Sequence, residues 1–179
     1  MSDVTDVTAI CVRHHDQKPW DRPTAWGLLR PKFRIGEDLP ADWQALIRKH
    51  FEIPPAAVII GFIGYDAVFN ARRGLAITDK GLAWVNWAHT LLKALWYPSK
   101  GFLDWNALAN STVRYSGSLW QSGSEKEDII FDQKNRFFDD SNPSQRDVYE
   151  LVLELQGWAR RTALASGSPE NEASRYDWI

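Results

Sequence analysis

Few side chains in this sequence stand at spacings that chemistry requires. His14-His15-Asp16 is the first candidate, because imidazole and carboxylate are common metal ligands. Adjacent histidines in an extended segment point to opposite faces, so the pair does not converge on one ion. His50 and His89 stand too far away in sequence to complete a recognisable ligand set. Both histidines of the pair read as structural or solvated. Asp66 could act as a general acid or base, yet no nucleophile, base and orienter surround it in sequence. A carboxylate followed by Phe69 in a turn reads better as a cap on local N–H groups. Thr78 and Asp79 take the same reading. Glu125, Glu127, Asp128, Asp132, Asp139 and Asp140 form an acidic region without the EF-hand pattern, which fits a solvated edge. The single cysteine, Cys11, excludes an internal disulfide and a thiolate-rich metal site. No cofactor or metal is expected.

The cations suggest other ligands. Arg72, Arg73 and Lys80 fall in the first two β turns, where basic groups could meet phosphates. Each would contribute about 1 kcal/mol near an anionic leaflet, so three give weak membrane binding. Lys18, Arg22, Arg30, Lys32 and Arg34 alternate with Trp20 and Trp26, a mixture that could stack on single-stranded nucleic acid. The overall balance of 21 Lys+Arg against 23 Asp+Glu argues against that use, because a nucleic-acid coat needs a concentrated positive footprint. The ten tryptophans are more informative. Trp43, Trp84 and Trp158 sit at periodic positions and read as core. Trp87, Leu92, Trp96, Tyr97 and Trp105 gather around the apolar segment 89–105, and Trp178 follows in a polar tail. Such residues either fold back onto the core or anchor a partner, since aromatic rings bury much area at small entropy cost.

These groups need elements to carry them. With 179 residues the chain suits one domain with an appendage. Residues 1–40 are punctuated by prolines and read as a wrap over the core. Trp43, Leu46, Ile47 and Phe51 recur at helical spacing, which predicts a short helix over 41–51. Residues 57–66, 74–78 and 82–87 read as strands, with Asp79-Lys80-Gly81 a hairpin turn. Residues 89–101 read as an inserted loop, and 101–111 as a segment holding a turn of helix. Residues 111–120, 128–132 and 136–140 complete the β pattern. Ser144 reads as an N-cap, and Val148, Leu151, Val152, Leu155, Trp158 and Ala159 predict a long helix over 144–165. The N-terminus lacks a secretory pattern, and the apolar run 56–65 is far below the roughly 20 residues a spanning helix needs. A cytoplasmic location is expected, with peripheral membrane contact open.

The run GYDAVFNARRGLAITDKGLAW resembles the start of a bacterial pleckstrin-homology-like (PH-like) domain, through Asp66, Phe69, Gly74, Thr78, Asp79 and Gly81. The resemblance covers about 56–165. It implies an α+β fold: a small antiparallel β-barrel or sandwich closed by a long C-terminal helix. The expected organisation is therefore 1–55 as N-terminal wrap and short helix, 56–165 as PH-like domain and 166–179 as polar tail. The resemblance implies a binding scaffold rather than chemistry, and fold alone does not choose the ligand. The expected function is a non-enzymatic adaptor module of a bacterial cytosolic complex. Its protein partner would meet Trp87, Leu92, Trp96, Tyr97, Trp105 and Trp178; a homodimer through the same insert is a possible assembly. The alternatives are a phospholipid-binding module using Arg72, Arg73 and Lys80, and a small enzyme with a rim site near Asp66 and His89.

Overall fold

A computed structural model describes residues 3–18, 20, 31–65, 72–86, 100–118, 126–132, 135–138 and 145–165. The first element corrects the expected wrap: α1 (Asp3–Gln17) is a fifteen-residue helix. Its signal was present in sequence, since Val7, Ile10, Cys11 and His14 recur at i, i+3, i+4 and i+7 and are all buried. Cys and His at two of those four positions obscured the apolar stripe. The β-branched Val, Ile and Thr residues also carry only modest helix propensity.

Among the described residues eight strands follow in two antiparallel sheets. The first sheet is a meander of β1 (Pro31–Ile35), β2 (Ile59–Tyr65), β3 (Gly74–Thr78), β4 (Gly81–Val85) and β5 (Lys100–Asp104), in that spatial order. Helix α2 (Ala41–His50) lies between β1 and β2 in sequence. Strand β1 was not anticipated; its Pro31 is tolerated because it opens an edge strand, where a missing N–H costs little. Strand β5 leads into the turn of helix expected within 101–111. It ends at Asp104, whose carboxylate accepts the Ala107 N–H at 2.7 Å and starts α3 (Trp105–Asn110). The second sheet holds β6 (Val113–Ser118), β7 (Lys126–Phe131) and β8 (Asn135–Phe138). The last described element is the helix α4 (Gln145–Ala165), as the periodicity predicts. Ser144, the expected cap, lies outside the described residues.

The α+β class and the antiparallel strands are therefore as expected, but closure into a barrel is corrected. Among the described residues the strands form two sheets and no pairing joins them into one barrel. After β5 the chain passes through α3 before entering the second sheet.

Packing follows from the period-two alternation of strands. One face of the first sheet sends Phe33, Ile63, Leu75, Ile77, Leu82, Trp84 and Leu103 into a core shared with α1, α3, α4 and the second sheet. Trp84 stacks on Phe131 of β7 with centroids 5.3 Å apart, which couples the two sheets. The register makes room for that ring: Gly101 lies opposite Trp84, and a Cβ there would sit 2.3 Å from Trp84 Cζ2. The other face packs under α2, where Trp43, Ile47 and Phe51 meet Phe62, Ala76 and Ala83. Covering on both faces explains why every residue of β3 is buried. The boundary expected at residue 55 falls inside this arrangement, because β1 pairs with β2 and α1 shares its core with α4.

Candidate functional site

Helix α1 presents two faces of different character. Inward, Val7, Ile10 and Cys11 enter the main core. Burial without a nearby cation pushes the Cys11 thiol up to about 12, so it is inert in the closed fold. Outward, Val4, Thr5, Thr8, Ala9 and Val12 line a shallow groove of about 590 Å³ that ends at Arg13. A solvent-facing helix normally places charged residues there. Instead, Val4 and Val12 are each 42 % exposed. The Thr8 hydroxyl donates to the Val4 carbonyl at 2.8 Å, so its polar atom is satisfied within the helix. The stripe from Val4 to Val12 thus offers apolar and internally satisfied surface over two turns.

Beside this stripe runs a polar seam between α1 and α4. Glu154 accepts from Arg13 and lies 2.7 Å from His14 Nε2. Lys18 reaches Glu150 at 2.5 Å and Asp147 at 3.2 Å, and Arg146 approaches Glu150 from the next turn. The Lys18 ammonium holds the Glu150 carboxyl below its usual range, and the bond to Glu150 raises Lys18 in turn. His14 is buried, and that burial, with Lys18 and Arg13 beside it, lowers its affinity for a proton. Trp20 closes the seam by donating its indole N–H to the His14 carbonyl at 2.9 Å.

The two adjacent histidines meet different partners. His14 faces Glu154, whereas the exposed His15 pairs with Asp16 at 3.0 Å. Among the described residues no three His, Cys, Asp or Glu side chains gather where an ion could bind. Thr78 serves the turn, as its chemistry predicts, whereas the Asp79 carboxylate, expected to cap local N–H groups, bonds instead to the distant Val58. Thr78 Oγ1 accepts the N–H groups of Lys80 and Gly81, and Asp79 Oδ1 accepts the Val58 N–H at 2.7 Å.

The three cations named for lipid lie at the two ends of β3. Arg72 and Arg73 precede β3 and Lys80 follows it, so the strand separates them by on the order of 13 Å or more. Lys80 also pairs with Asp79 at 3.2 Å. Of the expected partner anchors, Trp105 is half-buried. Its indole N–H donates to the Asp79 carbonyl at 3.0 Å, and its ring meets Trp158 edge-on at 5.1 Å. Trp87, Leu92, Trp96, Tyr97 and Trp178 lie outside the described residues, as do Asp66 and His89. Among the described residues no helix is long and apolar enough to cross a membrane. No family model matches the chain, and none of the curated proteins or solved structures compared with it matches either.

The α1 face was missed because residues 1–40 were read by their prolines. The available signal was the inward 7-10-11-14 stripe, which would have set the outer face by elimination.

Proposed function

We propose that this chain is a non-enzymatic protein-interaction module, an adaptor of a bacterial cytosolic complex on a PH-like scaffold. In this reading α1 holds an apolar helical segment of another protein against Val4, Thr8 and Val12. The outer face of α1 carries the proposal, because its apolar stripe replaces the charges a solvated helix would present. The partner's form follows from the size of the side chains. Val, Thr and Ala let a second helix approach to about 8–10 Å, and the straight two-turn groove suits larger residues at i, i+4 and i+8. The PH-like part of the reading draws support from the order within 56–165. Four antiparallel strands, a short helix, three further strands and a long helix follow one another there. The segment 89–105 would add a second contact to the same partner.

The test is a photo-crosslinking residue at Thr8, expressed in the native host at native level. The expected result is one crosslink to a mapped amphipathic helix of another protein. A peptide of that helix should then bind the purified chain, and Val12→Asp should weaken it at least tenfold. Val12→Asp should leave thermal stability within about 0.5 kcal/mol, since it alters a surface position. Crosslinks only within the chain, only to a second copy, or to nothing would overturn the reading.

A further inference from the structure

We infer that His14 is a proton-sensitive latch holding α1 against α4, and that mild acidification releases α1 while the sheets stay folded. The inference stands on geometry and is independent of whether α1 binds a partner.

His14 Nε2 lies 2.7 Å from Glu154 Oε2, and a carboxylate can only accept. The proton of the neutral ring therefore sits on Nε2. The other nitrogen, Nδ1, is buried and has no hydrogen-bond partner. As a bare lone pair it is tolerable. Once protonated, it becomes a buried N–H with nothing to donate to, which is a strongly unfavourable state. The surrounding charges do not remove that penalty. From α1 and the residue after it come Arg13 and Lys18, both cationic; the third neighbour, Cys11, stays neutral. From α4 come Asp147, Glu150 and Glu154. Lys18 engages the first two and Arg13 shares the third. Strands β1 and β2 contribute the apolar Phe33, Ile60 and Ile63 to the core beneath α1. The C-terminal end of α1 favours a cation at His14 through its backbone carbonyls, but this acts along the helix and gives Nδ1 no acceptor.

The sign follows from linkage. With α1 released, His14 is solvated and takes a proton near 6.5. In the closed seam, burial and the two cations keep it neutral to lower pH. The closed form has its full advantage above about 6.5, and loses it as the pH falls from there toward the lowered closed-state value. Over that window the open fraction rises by up to about tenfold per pH unit.

Cys11 reports the opening, because it is the sole cysteine and sits on the inward face of α1 with no exposed surface. The full-length chain is labelled with 4,4′-dithiodipyridine from pH 7.5 to 5.0, with rates normalised to the unfolded chain at each pH. The expected result is a labelling ratio rising up to tenfold per unit below 6.5, with the near-ultraviolet tryptophan signal kept, apart from the share of Trp20, which is bonded to α1 and changes with it. His14→Gln, whose amide can still donate to Glu154, should flatten that rise down to about pH 5, where carboxylates begin to titrate. An equal rise in His14→Gln, or a parallel loss of the remaining tryptophan signal, would overturn the inference. Should His14→Gln fail to fold, nitrogen NMR of the wild-type imidazole decides. A bare Nδ1 persisting below pH 6.5 supports the latch, and a doubly protonated ring above that pH sinks it.

Discussion

Thr78 shows how much one buried hydroxyl can organise. It accepts from the backbone of Lys80 and Gly81 and donates to the Gly81 carbonyl at 2.8 Å. Gly81 itself has a φ of +155°, and any Cβ there would meet the Leu103 carbonyl oxygen at 2.0 Å. The turn is therefore fixed by a side chain and by the absence of one. Thr78→Val keeps the shape but leaves two buried or half-buried N–H groups without their acceptor. The expected cost is about 1–3 kcal/mol, read as a fall of several degrees in Tm. Thr78→Ser, which retains the hydroxyl, should lose less. The role of this turn was legible in sequence because its bonds are local. Trp105 was not legible in the same way. Its partners, Asp79 and Trp158, are 26 and 53 positions distant, so its half-buried setting depends on three elements meeting.

Between elements, the contact of α3 with α4 is held by side chains that complete a helix end. The last carbonyls of a helix have no partners within it. Here Gln156 Nε2 donates to the Leu108 and Ser111 carbonyls at 2.9 and 2.8 Å. Arg160 Nε donates to the Ala109 carbonyl at 2.7 Å. Gln156 is buried among apolar neighbours, where a polar side chain persists only when satisfied. Gln156→Met preserves volume and removes both donors. It should cost about 1–3 kcal/mol by urea denaturation and speed amide exchange across 107–113. Arg160→Ala should show a smaller effect in the same direction, since its bonds are half-exposed. The helix α4 itself was readable from its 3.6-residue period. That Gln156 belongs to the buried face for a polar reason was not, because a glutamine within such a pattern reads equally well as solvated.

At the scale of the molecule, one core joins elements from both ends of the chain. Val7 and Ile10 of α1 pack in the same cluster as Val148, Leu151 and Leu155 of α4, with Trp84 and Phe131 from the two sheets. With α1 docked, that shared cluster ties both ends of the chain to the two sheets. At pH 7.5 the chain should therefore unfold in urea as one transition, with tryptophan fluorescence and far-ultraviolet circular dichroism superimposable. Two separated transitions at that pH would show the N-terminal segment folding apart from the sheets. Below pH 6 the same comparison should place Cys11 exposure ahead of both probes, as the latch at His14 requires.

The sequence by itself determined the elements whose signals are periodic or local. These are α2, the β2–β3–β4 meander with its Thr78–Gly81 turn, β6 to β8 and α4. Alternation and helical spacing survive without knowledge of the partner surface. Only the tertiary structure decided that α1 docks on α4 and that β1 extends the first sheet. It also decided that, among the described residues, the strands fall into two sheets with no pairing between them. Each of these depends on which distant residues supply the covering surface or the hydrogen-bond partner. His14 is the clearest case, since its bare Nδ1 and its bond to Glu154 across 140 positions exist only once α1 lies on α4.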